Sequence, residues 1–136
     1  MSQLGFWNFA QSDPSKLGLV CPDGAEVSRG ELLASCNQLV HGLRALGLEQ
    51  GDCVATVIPN GRAMIELYLA ACQAGWYLSP INHHLTAPEI AYIASDSGAS
   101  SQNGIAVAAI TIAPNVIANG YPCDSAANDM PIGPTK

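Results

Sequence analysis

The sequence predicts an α/β fold, a β-α-β-α-β-α unit built on a mainly parallel sheet. Three observations predict it. Two S/T-x-x-E capping boxes, Ser28-Arg29-Gly30-Glu31 and Thr86-Ala87-Pro88-Glu89, mark helix starts. Compact apolar runs, the best of them Cys53–Ile58, stand between the helical segments. Gly47, Gly75 and Gly98 fall where those helices should end. Strands that alternate with helices argue for right-handed parallel crossovers.

In chain order, Leu17–Cys21 is a short apolar run closed by the turn residues Pro22-Asp23-Gly24, and Ala25–Val27 pairs back on it. After the first capping box, Leu32, Leu33, Cys36, Leu39, Val40, Leu43 and Leu46 recur in steps of three and four. That spacing puts them on one helix face, with Arg29, Asn37, Gln38, His41 and Arg44 largely on the other. Gly51-Asp52 is a turn, and β-branched residues suit Cys53–Ile58 to a buried strand. Pro59 ends that strand and Asn60 is read as the next helix cap. The second helix, residues 61–74, is apolar around most of its circumference and is expected to be more buried than the first. Trp76–Leu78 is the third core strand, ended by Pro80. The last helix begins at the second capping box, with proline in its first turn, and runs to Ser97. Beyond residue 100, Ile105–Ala113 reads as one further strand, and the Pro-, Gly- and Asn-rich remainder as loop or disorder.

At 136 residues the chain is long enough for one domain with a real core. Its charged content, 12%, is half the usual ~25%. A surface so short of charge suits a piece that packs against something else. The net charge of −6 argues against nucleic acid and anionic membranes, because both demand a basic patch. No basic leader opens the chain and no apolar stretch is long enough to span a membrane, so cytoplasm is the expected compartment. The five cysteines are odd in number and show no CxxC spacing; buried reduced thiols are expected rather than disulfides or zinc.

The residue types that could do chemistry each have a plainer structural reading. His83-His84 could bind metal or shuttle protons, but adjacent residues of an extended segment point opposite ways and no third ligand stands near. Glu89 belongs to a capping box and Asp96 to the last turn of a helix. Glu66 is read as part of a solvent-facing stripe; buried, it would need a partner. No G-x-S-x-G surrounds Ser28 or Ser35, and neither G-x-x-x-x-G-K-[ST] nor G-x-G-x-x-G occurs. The terminal Gly133-Pro134-Thr135-Lys136 has no following helix to aim N–H groups at a phosphate.

The order and wording of particular residues say more. They are Ser28 to Leu32 as an S-x-x-E-L start, Asn37, Gly47 with Gly51-Asp52-Val54, and Pro59-Asn60. Ala74-Gly75, Pro80-Ile81-Asn82, and Glu89 with Asp96-Ser97-Gly98 follow at matching intervals. Over roughly residues 6 to 99 this resembles the N-terminal part of the AMP-binding, adenylate-forming acyl-CoA synthetases. The stretch GWYLSPINHHLTAPEIAYI is most similar to the fatty-acyl-CoA ligase branch.

The resemblance implies an ATP-dependent ligase that adenylates a fatty acid or other carboxylate and passes the acyl group to coenzyme A. Such an enzyme uses ATP, Mg²⁺ and CoA. It also implies an α/β fold incomplete relative to the family's large N-terminal domain. In the family, the Ser/Thr/Gly-rich phosphate loop, the adenine and ribose motifs and the catalytic lysine lie downstream of the matched segment. None of them is found in residues 100–136, and the resemblance fades at Ser100-Ser101-Gln102-Asn103. Residues 1–100 therefore read as a partial ligase domain and 101–136 as an unrelated-looking tail. No catalytic or metal-binding residue and no cofactor is expected for the chain alone. One position carries over: in some relatives a basic residue before the Leu of a PxNxxL element lies near the CoA phosphates, and His84 stands there, with His in place of Arg. The favoured expectation is a truncated acyl-CoA synthetase, inactive alone and prone to self-association through exposed apolar surface. The competing one is a non-catalytic α/β interaction module that binds a full-length paralogue.

Overall fold

A computed structural model describes residues 5–99 and the strand residues 106–107. Apart from residues 106–107, the expected tail of 101–136 lies outside the described residues, with Cys123, the terminal Gly-Pro-Thr-Lys and the rest of the expected strand over 105–113. The chain opens with a helix the sequence did not announce, α1 (Phe6–Ser12), which has neither a side-chain cap nor an acid in its first turn. Tertiary packing holds it: Ala10 is buried, and α1 lies against α2.

Strands β1 (Leu17–Val20) and β2 (Glu26–Ser28) form the expected hairpin, with an irregularity between Leu17 and Leu19. Its turn is closed by the Cys21 N–H donating to the Ala25 carbonyl at 2.8 Å, with Gly24 at φ 84°. Helix α2 (Arg29–Ala45) starts where its capping box places it. The Ser28 N–H and hydroxyl both donate to Glu31 Oε2 at 2.8 Å. Leu32, Cys36, Val40 and Leu43 form the buried face. Leu46, assigned to that face from its spacing, is 63% exposed. The reason is a Schellman turn: the Gly47 N–H donates to Arg44 O and the Leu48 N–H to Leu43 O. Gly47 takes φ 98°, the chain reverses, and Leu48 is buried in place of Leu46.

Strand β3 (Cys53–Thr56) leads into α3 (Arg62–Ala74), β4 (Tyr77–Pro80), α4 (Ala87–Asp96) and β5 (Ala106–Val107). Helix α3 is capped by Gly61 rather than Asn60 and has no side-chain acceptor at its start. It ends at Gly75, whose φ of 74° suits glycine and where a Cβ would stand 2.9 Å from Gln50 Cγ. Trp76 is buried but precedes β4, which runs on through Ser79 and Pro80 instead of stopping at Leu78. Proline is tolerated because β4 is a terminal strand among the described residues.

The sheet is parallel in the order β4-β3-β5, with Thr56 opposite both Pro80 and Val107. The step from β3 through α3 to β4 moves one way; the step from β4 through α4 to β5 comes back past β3. Right-handed crossovers in opposite directions put their helices on opposite faces. The two apolar clusters agree. Val54 and Ile58 pack with α2 and α3, around Leu67, Ala70, Ala71 and Trp76. Cys53, Ala55 and Val57 pack with Ile81, Ile90, Ile93 and Ala94 on the α4 side. A strand buried on both faces reads as a continuous apolar run, which is why Cys53–Ile58 was legible. Helix α3 is more buried than α2, as expected, with Glu66, Leu67, Ala70, Ala71 and Ala74 buried, while Ile65 and Tyr68 remain 40% and 55% exposed. No helix among the described residues is long and apolar enough to cross a membrane.

The capping boxes give the fold an acid limit. Hydrogen bonds from the Ser28 N–H and then its hydroxyl hold Glu31 below the usual carboxylate range. The Thr86 hydroxyl and then its N–H do the same for Glu89. A carboxylate whose folded pKa is lowered adds stability above its unfolded pKa and loses it as pH falls through the folded value. Thermal stability should therefore decline below about pH 4.5, near the ordinary Glu value of ~4.3. The Glu31→Gln/Glu89→Gln variant keeps amide acceptors at both caps and should show a shallower acid limb in melting temperature against pH. An unchanged limb would remove the boxes from the account.

Candidate functional site

In open parallel sheets, ligands collect beyond the carboxyl ends of strands at the point where successive connections leave to opposite faces. Here that point lies between β3 and β4. Thr56 pairs with Pro80, and the Ile81 N–H donates to the Thr56 carbonyl at 2.7 Å, so the two outgoing loops start side by side. One loop presents Pro59 and Asn60, both exposed, and the uncapped start of α3. The other presents Asn82, His83 and His84, also exposed.

The second loop is ordered by its own side chains. Asn82 Oδ1 accepts the His84 N–H at 3.0 Å, and its carbonyl accepts the Leu85 N–H at 3.2 Å. The Thr86 N–H and hydroxyl then donate to Glu89 Oε2 at 2.8 and 2.6 Å and start α4. The turn overrides the expectation that His83 and His84 point apart. Their ring centroids are 4.0 Å apart, with the planes tilted by 39°. No group of three His, Cys, Asp or Glu suited to a metal occurs among the described residues.

The remaining candidates are scattered. Asp96 ends α4 and is exposed. Ser28 is a helix cap, and Ser35 Oγ accepts from Arg62 Nη2 at 3.4 Å. Cys36 is buried, and burial followed by the nearby Glu66 charge pushes its thiol up to about 12, so it is no nucleophile. Cys21 and Cys53 are half-buried and free, as expected of reduced thiols, whereas Cys72 is exposed. A hollow of about 460 Å³ lined by Asp52, Cys53, Tyr77, Ser79 and Ser97 opens beside the starts of β3 and β4, with no basic side chain on it.

Glu66 corrects the sequence reading outright. It is 2% exposed, not on a solvent stripe. Its Oε1 accepts from Arg62 Nε at 2.7 Å, one helical turn earlier. Arg62 reaches Ser35 as well, and Gln73 Nε2 donates to Asn37 Oδ1 at 2.7 Å. Two polar bridges thus join α2 to α3 across an apolar contact. Arg62 is consequently committed to Glu66, so the start of α3 offers its N–H groups with no free guanidinium beside them. The crevice can meet a negatively charged group with helix N–H groups and imidazoles. Among the described residues it holds no nucleophile paired with a base and no group of three metal ligands.

Comparison with known proteins agrees with this fold. Residues 6–107 match the family described as AMP-binding enzyme. A fatty acid–[acyl-carrier-protein] ligase, ScoC, of Streptomyces coeruleorubidus is 34% identical over 89 residues, 65% of this chain and 17% of that protein. The long-chain-fatty-acid–CoA ligase FadD13 of Mycobacterium tuberculosis is 40% identical over 68 residues, 50% of this chain and 14% of that protein. The N-terminal domain of FACL13 from Mycobacterium tuberculosis superposes with a TM-score of 0.63 at 32% identity, over 68% of this chain and 23% of that one. The chain thus spans about a sixth of the length of the curated relatives it matches.

Proposed function

The chain belongs to the AMP-binding enzyme family, and from that premise we propose that it is the N-terminal segment of an acyl-CoA synthetase. The complete ligase adenylates a fatty acid or related carboxylate with ATP and Mg²⁺, then transfers the acyl group to CoA in the cytoplasm. The observation that carries this reading is the extent of the family match, which takes in every described element from α1 to β5. The described residues supply scaffold rather than chemistry. Residues 100–136 contain no Ser/Thr/Gly-rich loop ending in Pro-Lys. These 136 residues by themselves are accordingly assigned no adenylating activity.

His84 is the one side chain given a role toward a ligand. Its place on an exposed turn at the carboxyl end of β4, fixed by Asn82, suits a contact with the phosphates of CoA. A graft tests both statements. Residues 6–107 would replace the matching segment of FadD13, and acyl-CoA formation should persist. His84→Ala in the graft should then raise the KM for CoA about five-fold, the equivalent of ~1 kcal/mol for an exposed charged contact, and leave pyrophosphate release unchanged. A folded graft without fatty-acid-dependent pyrophosphate release would sink the ligase reading. An unchanged KM would sink only the role of His84.

A further inference from the structure

The segment between β4 and α4 is held at both ends. Ile81 is buried and its N–H donates to the Thr56 carbonyl at 2.7 Å, so the chain leaves the sheet from a fixed point. Leu85 packs on the apolar cluster of the α4 side, and the Thr86–Glu89 box fixes the start of the helix. Between these anchors stand Asn82, His83 and His84. Neighbouring side chains of an extended segment diverge. Here Asn82 Oδ1 accepts the His84 N–H at 3.0 Å, the turn that asparagine makes with the backbone two residues on. The two imidazoles are thereby brought to a centroid distance of 4.0 Å. Both residues are exposed, and no hydrogen bond or ion pair engages either ring among the described residues. The nearest acid along the chain, Glu89, is taken up by Thr86.

We propose that the ligand contact at this crevice is the imidazole pair rather than His84 alone. His83 is a second donor to the same phosphate, and Asn82 is the positioning residue that holds the two rings together. This rests on the assignment of His84 to the phosphates of CoA and adds two residues to it. A phosphate offers several acceptor oxygens, and each imidazole presents an N–H. Two donors held side by side before the ligand arrives lose less freedom on binding than two independent loop side chains. The identity of residue 82 fits the role. Asparagine and aspartate both make this turn, but a carboxylate two residues from His84 would repel the anion that the rings attract. Asparagine supplies the acceptor without the charge.

Two measurements test this. The first is nuclear magnetic resonance of the whole 136-residue chain at about pH 8.5, above the ordinary imidazole pKa of ~6.5. The ring protons of His83 and His84 should be displaced by each other's ring currents. Asn82→Ala should abolish that displacement, and Asn82→Asp, which keeps the acceptor, should retain it. The second is the KM for CoA in the graft into FadD13. His83→Ala should raise it about three-fold and Asn82→Ala by at least as much, with fatty-acid-dependent pyrophosphate release unchanged. Once both histidines are alanine, Asn82→Ala should add nothing, whereas a merely structural asparagine would raise KM equally in that background. A raised KM for His84→Ala beside an unchanged one for His83→Ala would overturn the pair and leave the role of His84 standing. Unchanged values for both would overturn the pair and the CoA contact together. Ring protons indifferent to Asn82→Ala, or an Asn82→Ala effect that persists without the histidines, would overturn the positioning role.

Discussion

Replacing Arg62 by methionine is expected to destabilise the fold by about 2–3 kcal/mol, somewhat below the ~3–5 kcal/mol typical of breaking a fully buried pair. The discount reflects the two environments. The Arg62 side chain is 44% exposed, whereas that of Glu66 is 3% exposed. Loss of the guanidinium leaves a carboxylate stranded between α2 and α3, with Ser35 losing its donor as well. In a unit of this size the melting temperature should fall by roughly 10–20 °C. The reverse truncation is asymmetric: Glu66→Gln leaves a half-exposed arginine that water can serve, so it should cost less. Arg62→Met/Glu66→Leu removes both charges and should recover most of the loss, because buried ion pairs replaced together are often neutral. Chemical denaturation of the parent, Arg62→Met, Glu66→Leu and Arg62→Met/Glu66→Leu closes the cycle. If Arg62→Met is no less stable than the parent, the bridge has no part in joining the helices.

The contrast between Glu66 and the rest of the fold shows what the sequence could and could not reveal. Signals that act within a few residues were legible. Both capping boxes, the glycine stops at Gly47, Gly75 and Gly98, and the apolar run of β3 report local chemistry and appear where expected. Features decided by distant partners were not. Glu66 is one charge on an apolar helix, and a solvent stripe and a buried pair are indistinguishable until α2 is placed. A signal did exist: Arg62 stands four residues before Glu66, the spacing of a helical ion pair. Leu46 and Leu48 exchanged roles because periodicity says nothing about where a Schellman turn reverses the chain. Helix α1 has no cap and no stripe, and only its packing on α2 explains it. At the candidate site, the sequence located His84 through a motif rather than through geometry. The 4.0 Å approach of the two imidazoles depends on the turn that Asn82 holds, which neighbouring-residue reasoning did not include.

The other large effect concerns activity. An adenylating enzyme lowers its barrier with preorganised positive charge and Mg²⁺ around the transferring phosphate. The crevice between β3 and β4 offers the start of α3 and the imidazoles of His83 and His84, with Arg62 already bound to Glu66. Losing the full electrostatic contribution in such chemistry removes many orders of magnitude in rate, so the deficit should be total rather than partial. The central claim, that this segment carries the scaffold of an acyl-CoA synthetase but not its chemistry, is tested most directly by fatty-acid-dependent ATP–pyrophosphate exchange on the purified 136-residue chain. The expected result is exchange indistinguishable from a protein-free blank; robust exchange that depends on added fatty acid would contradict it.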